Sequence, residues 1–354
     1  MAALPYTPRS ITTASSIVHL EYKPAALSPV APGWTRFVCI SDTHTRSFAV
    51  PDGDVLLHSG DLTNLGTLSD FQKTMEWLYS LPHKVKIIIA GNHDLTLHID
   101  YYEREHRRWH RDRQDVEQIL ELLTGPRARA AGVVYLQDSS HTFQTKPNGR
   151  TWSVYGSPWS PEFFNWAFNY PREEGEALVA KFPKTDILLT HGPPSGIFDR
   201  TRCGDLVGCE ALRARLPSLR PRLHVFGHIH EARGAYVHAW AEDGASASEP
   251  PGAQNEDGDD LSDEEDDLDI SFDEEEGAGG GGGEDGDDGD GDDGGENGTE
   301  ATRSTPGSGE EEEREETVFV NAATFPAGRA AWRGTHRVPF GGPGFQAVVV
   351  DLRD

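Results

Sequence analysis

Five short apolar runs in this 354-residue chain each stop abruptly at residues that bend a backbone or bind a metal, and that recurrence limits the fold more than any other feature. The runs end in Asp42-Thr43-His44, Gly60-Asp61, Gly91-Asn92-His93-Asp94, His191-Gly192 and Gly227-His228-Ile229-His230. The third run, Ile87-Ile88-Ile89-Ala90, is short, β-branched and bounded by a glycine, which reads as a buried strand of an α/β core. Gly91 lets the chain turn sharply, and Asn92 and His93 then sit at the strand's carboxyl end, where open α/β sheets hold their sites. Each motif alone is weak. Asp-x-His and Asn-His pairs are common in solvated turns, and a lone His-x-His serves structure as often as metal. The five in succession are strong, because two divalent cations ~3.5–4 Å apart need one bridging carboxylate plus imidazole, carboxylate and amide donors around each.

The intervening sequence supplies a scaffold for such strand ends. Residues 35–40, 54–58 and 84–90 read as strands, and 69–81 as a helix with Phe71, Met75 and Leu78 on one face and Pro82 as its stop. Residues 54–90 thus form the right-handed strand–helix–strand crossover of a parallel sheet. The basic and aromatic stretch 101–113 merges into a second helix carrying Val116, Ile119, Leu120 and Leu123, which stops at Gly125-Pro126. Its charges read as a solvated helix face, with a phosphate or polyanion contact as the sharper alternative. Short strands at 133–137, 141–144 and 152–155 predict a second, partly antiparallel sheet. Phe163, Phe164, Trp166 and Phe168 follow a rigid Pro-rich loop. Aromatics at this density mostly fill core, although some can wall a pocket for a ring-bearing substrate. Further strands are expected at 186–190, 223–226, 234–240, 317–320 and 346–352, with a short helix at 208–216.

Charge divides the chain unevenly. Residues 241–316 hold 32 Asp and Glu against two Arg, leaving 27 acids and 30 bases in the other 278 residues. The pI of about 4.8 therefore describes one segment. That tract has almost no aliphatic residues and a glycine run, so it cannot bury enough apolar surface to offset ordering and is expected to be disordered. Residues 1–33 read as an irregular lead-in, apart from an edge strand at 17–22. The expected layout is this lead-in, a catalytic domain formed by 34–240 plus 317–354, and the acidic insertion at 241–316. Three cysteines make no disulfide framework, and Cys39, inside an apolar run, reads as a core residue. No signal-peptide core or membrane-length apolar run occurs, so a soluble, cytoplasmic protein is expected, with the nucleus also compatible.

The ordered set of motifs resembles the calcineurin-like metallophosphoesterase superfamily over residues 36–230. The stretches Phe37-Val38-Cys39-Ile40-Ser41-Asp42-Thr43-His44, Tyr155-Gly156-Ser157-Pro158-Trp159, Leu188-Leu189-Thr190-His191-Gly192-Pro193-Pro194 and His224-Val225-Phe226-Gly227-His228-Ile229-His230-Glu231 look most like its metallophosphoesterase-domain-containing subfamily. That resemblance implies an α/β fold, a four-layer αββα sandwich of two mixed β-sheets flanked by helices, with the metal site at the carboxyl ends of the strands. It implies a first metal held by Asp42, His44, Asp61 and His230, and a second held by Asp61, Asn92, His191 and His228. The implied cofactors are two divalent ions, Mn, Fe or Zn, with Mn favoured. His93 is expected to face the substrate and protonate the leaving oxygen, and Asp94 to orient His93, while a hydroxide bridging the metals attacks phosphorus in line. The expected substrate is a small phosphodiester such as a cyclic nucleotide. A polynucleotide is disfavoured, since the near-neutral globular part shows no basic stripe and the acidic tract repels a phosphate backbone.

Two competing classes follow from other features. A non-catalytic nucleotide- or protein-binding scaffold would use the acidic tract to recruit basic proteins, but a missing ligand position would favour it and none is missing. A metallo-β-lactamase-type hydrolase requires His-x-His-x-Asp-His, whereas His228-x-His230 continues with Glu231-Ala232.

Overall fold

The structure, a computed structural model, describes residues 9–241, 315–328, 331–333 and 335–354. The disorder expected of the acidic tract concerns residues that, beyond 241, 315 and 316, lie outside those described.

The strand Trp34–Ile40 shows why the molecule is layered. Phe37 and Cys39 enter one core and Val38 and Ile40 another, and all four are fully buried. A strand that is apolar on both faces needs a covering layer on each side. It lies inside a seven-stranded sheet ordered Arg9–Thr12, Ser16–Glu21, Val348–Arg353, Trp34–Ile40, Val55–His58, Val85–Ile89, Val133–Leu136. The last four strands are mutually parallel and the first three pair antiparallel. A six-stranded sheet runs Gly234–Ala239, Glu316–Asn321, Leu223–Phe226, Ile187–Thr190, Thr151–Ser157, Ser139–Gln144, parallel at its centre and antiparallel at both edges.

The two sheets enclose a shared core in which the Phe37 ring meets Trp152 edge-on at 5.0 Å. The helices Leu68–Ser80, Ile99–Trp109 and Val116–Thr124 cover the outer face of the first sheet through Phe71, Met75, Leu78, Tyr102, Ile119 and Leu123. Glu210–Leu219 covers the second through Leu212 and Leu219, packed with Tyr155 and Leu188. This is the expected four-layer α/β sandwich of two mixed sheets. Among the described residues no helix is long and apolar enough to cross a membrane.

Three expectations change. The basic stretch does not merge into the next helix: Ile99–Trp109 ends at His110, and a new helix starts where Asp115 accepts a hydrogen bond from the Gln118 amide at 3.0 Å. That carboxylate is an N-cap, which begins a helix afresh. Val133–Leu136 joins the first sheet, as the parallel edge strand completing one more strand–helix–strand crossover. The N-terminal segment supplies two strands, and Ser16–Glu21 is not an edge because Arg9–Thr12 lies outside it. The expected strands flanking the acidic tract pair antiparallel as a hairpin, in register from Gly234 opposite Asn321 to Ala239 opposite Glu316. Beyond them the Trp240 amide still bonds the Glu315 carbonyl, at 2.9 Å.

Candidate metal centre

At their carboxyl ends the two sheets are tied together by backbone. The Asp42 amide bonds the Gly60 carbonyl at 3.0 Å, and the Gly227 amide bonds that of His191, also at 3.0 Å. Between the sheets, the Thr324 amide bonds the Ser41 carbonyl at 3.0 Å, and His191 Nδ1 donates to the Ser59 carbonyl at 3.0 Å. The carbonyl can only accept, so this bond fixes the tautomer and leaves His191 Nε2 facing the cluster.

The chain makes this crowding possible in two ways. Asp42, His44, Asp61 and His228 all take left-handed backbone conformations, with φ of 56°, 45°, 52° and 70°. Such φ values are uncommon for non-glycine residues and persist where surrounding contacts over-determine them. The glycines preceding ligand-type residues leave no room for a side chain. A Cβ on Gly60 would meet the Ala90 carbonyl oxygen and His191 Nδ1 at 2.6 Å, one on Gly91 would strike Asp61, and one on Gly227 would strike Asp42 and Ser41. Gly91 therefore serves close approach and not the sharp turn expected of it, since its φ is not positive.

All seven expected donor residues come together. Donor atoms of Asp42, His44 and His230 lie within 4.8 Å of one another, and so do those of Asp61, His191 and His228. Asn92 Oδ1 lies 2.8 Å from His191 Nε2. Asp61 reaches both groups, with one oxygen 3.4 Å from His191 Nε2 and the other 3.8 Å from His44 Nε2. His44 Nε2 and His230 Nε2 face each other at 3.4 Å. A ring nitrogen of His93 joins His44 and Asp61 in a third group. Asn321, whose side-chain amide donates to the Ile229 and Phe198 carbonyls, steadies the segment between His228 and His230.

The electrostatics suit cation binding. Burial opposes ionisation of Asp42, but the hydrogen bond and charge of His230 overcome it and pull the carboxyl down to about 2. Asp61 is held well below the usual carboxylate range by His191 and His93, again against burial. Burial pushes His44 and His228 down to about 3, so both imidazoles are neutral with lone pairs available. His191 is raised to about 9, since Asp61 outweighs the effect of burial. A metal ligand must be deprotonated, and four of these groups already are at neutral pH.

His93 and Asp94 depart from expectation in how they connect. Asp94 is fully buried, and its carboxylate accepts from the amides of Leu62, Thr63 and Gly91 and from the Thr63 hydroxyl at 2.7–3.1 Å. Burial and the nearby Asp61 charge raise it to about 7 despite those donors. The His93 ring is held instead by the Asn64 carbonyl, 2.7 Å from Nδ1. Asp94 thus pins the segment that presents Asn64, acting on His93 at one remove. A backbone carbonyl leaves no trace in residue identity, so sequence reasoning had no signal for it.

The aromatic residues after the Pro-rich loop divide. Phe168 is fully buried, Phe163 and Phe164 are 54% and 65% exposed, and Trp166 stacks on His93 with ring centroids 4.2 Å apart. Two further histidines, His58 and His224, are fully buried, and each contacts a threonine hydroxyl at 2.9 Å, Thr43 and Thr190 respectively.

Comparison with known proteins agrees with this geometry. Residues 35–232 match the family model described as calcineurin-like phosphoesterase. The chain is 44% identical over 225 residues to Metallophosphoesterase domain-containing protein 1 of Homo sapiens, a match covering 58% of this chain and 64% of that protein. It is 34% identical over 226 residues to UPF0046 protein C25E10.12 of Caenorhabditis elegans, covering 60% of this chain and 75% of that one. A third relative, Probable rhamnogalacturonate lyase C of Emericella nidulans, is 40% identical over 208 residues, covering 58% of this chain but only 18% of its own. The chain thus spans 64% of the length of its human relative.

Proposed function

The chain belongs to the calcineurin-like phosphoesterase family, and on that premise we propose that it is a binuclear metallophosphodiesterase acting on small nucleotides such as a cyclic nucleotide. The observation that carries this reading is Asp61, whose two carboxylate oxygens face donor groups on opposite sides. Asp42, His44, Asp61 and His230 hold one cation in this proposal, and Asp61, Asn92, His191 and His228 the other. The donor set fits, since borderline nitrogen and hard oxygen donors suit Mn, Fe or Zn and no thiolate is present to favour softer ions. Two ions bound there would supply charge to the phosphoryl oxygens and acidify an attacking water.

The chain's own residues do the rest. Asp42 and Asp61 bring the negative charge that retains cations, and the neutral His44 and His228 complete the shells without adding charge. His93 Nδ1 donates to the Asn64 carbonyl, so Nε2 is the nitrogen that exchanges a proton with the leaving oxygen. Exposed Phe163 and Phe164 offer apolar faces for a base. Cytoplasmic residence, and recruitment of basic proteins by the acidic tract between 234–240 and 317–320, belong to the same proposal.

The test is hydrolysis of bis(p-nitrophenyl) phosphate and of cyclic nucleotides with added Mn²⁺. Turnover that requires metal, is abolished in Asp61→Ala and falls strongly in His93→Ala supports the reading. A folded protein that binds two ions yet turns over no phosphodiester defeats it.

A further inference from the structure

The His93 ring is flanked by a series of planar groups outside the metal-ligand set. Its imidazole lies against Trp166 at 4.2 Å and 30°, and Trp166 lies against Trp109 at 4.2 Å and 39°. Arg108 then sits over Trp109, 4.8 Å from its ring centroid. Trp166 thus touches the His93 ring and the Trp109 ring at equal centroid distance.

The loop that carries Trp166 is built for rigidity. The Trp166 and Phe163 amides both donate to Asn169 Oδ1 at 3.1 Å, and the Phe168 amide donates to His98 Nδ1 at 2.9 Å. Tyr101 donates its hydroxyl proton to the Asn165 carbonyl at 2.8 Å while accepting from Trp109 Nε1 at 2.7 Å. His98, Tyr101 and Trp109 lie on or beside the helix Ile99–Trp109, so the basic and aromatic stretch after the third motif is the frame for this loop.

The Asn64 carbonyl fixes one atom of the His93 ring but leaves the ring free to swing about that hydrogen bond. A flat group pressed on its face removes that freedom. We propose that Trp166, backed by Trp109, is the positioning residue for His93: it sets the plane of the imidazole and so the direction of Nε2. The inference deepens the phosphodiesterase reading and rests on it for the role of His93, though the ring geometry stands apart from it. Misplacing a reacting group by about 1 Å can cost ~100-fold in rate, so Trp166→Ala is expected to lower kcat by ~10- to 100-fold with KM within about twofold of wild type.

The experiment is a double-mutant cycle with one readout independent of turnover. Trp166→Ala, Trp166→Phe and Trp109→Ala are assayed alone, and Trp166→Ala also on the His93→Ala background, with Mn²⁺ and bis(p-nitrophenyl) phosphate. Trp166→Phe should keep most of the rate, Trp109→Ala should show a smaller kcat loss, and Trp166→Ala should change the His93→Ala enzyme by less than about twofold. A rise in KM at unchanged kcat, or an undiminished loss on the His93→Ala background, overturns the proposal. In parallel, ¹³Cε1 relaxation spectra of histidine-labelled metal-free protein report the mobility of the His93 ring, assigned by its loss in His93→Ala. A rigid ring in wild type that becomes mobile in Trp166→Ala, and is rigid again in Trp166→Phe, supports positioning; an unaltered ring mobility refutes it. Should wild type turn over no phosphodiester, the functional reading fails while the spectra still decide the role of Trp166.

Discussion

The two flanks of the metal cluster are both aromatic, and they are built differently. On one, Trp166 packs against both His93 and Trp109, and the His93 ring also meets the Asn64 carbonyl through Nδ1. On the other, Phe325 meets His44 edge-on at 5.6 Å and lies 5.4 Å from His230, while the exposed Arg46 guanidinium rests 5.0 Å above its ring. One flank packs around the ring proposed to move a proton. The other is a shelf that presents a positive charge beside the donors without joining them. A reaction that needs both an oriented acid and an oriented anion is served by such a division, and it separates rate from affinity.

The largest effect should come from the residue common to both flanks. Asp61→Ala is expected to abolish turnover, to below about 10⁻⁴ of wild type, and to reduce bound metal from two ions toward none by elemental analysis. Retention of two ions would remove Asp61 as the bridge. Next, His93→Ala should lower kcat by ~10²–10⁴-fold, the usual worth of a general acid, with metal content unchanged by the same analysis.

Arg46→Ala tests the opposite flank. It should raise KM for a phosphodiester by about fivefold, equivalent to ~1 kcal/mol of an exposed cation's contribution, with kcat within about twofold. Were kcat to fall instead, the distinction between flanks would collapse. Asp94→Asn should act more weakly than His93→Ala, by ~10- to 100-fold in rate, since its carboxylate reaches His93 only indirectly, through residues 62–64 and the Gly91 amide.

The smallest expected effect is a pH dependence. The folded-state value of His191 is raised to about 9, so its proton stabilises the metal-free fold fully below the ordinary histidine range, and that contribution is lost as pH rises through about 9. A cation must displace the same proton. Calorimetric Mn²⁺ affinity of wild type should therefore increase with pH up to about 9 and release protons, and His191→Ala should flatten that slope.

Much of the scaffold was legible because it follows from short, continuous apolar runs. Residues 37–40 and 87–90 are apolar at every position, which only a strand covered on both sides tolerates, and the structure buries all eight. The convergence of the seven candidate donors was legible for another reason: their side-chain types suit a metal, and each follows a strand. What the sequence did not reveal was carried by backbone or by distant partners. The Asn64 carbonyl that holds His93 could belong to any residue. The left-handed φ of Asp42, His44 and Asp61 contradicts their local preference, and tertiary contacts impose it. Trp166 was read only as core or pocket wall, because its two neighbours, His93 and Trp109, are 73 and 57 positions away.

The hairpin on either side of the acidic tract has a consequence for how this gene can change. Its strands zip in register to their last pair, and the amide of Trp240 still meets the carbonyl of Glu315 beyond it. The points where the tract leaves and returns are therefore fixed by the hairpin itself. Each doubling of a closed loop costs only about 0.6 kcal/mol. A longer or shorter tract therefore alters the closure of that hairpin by little.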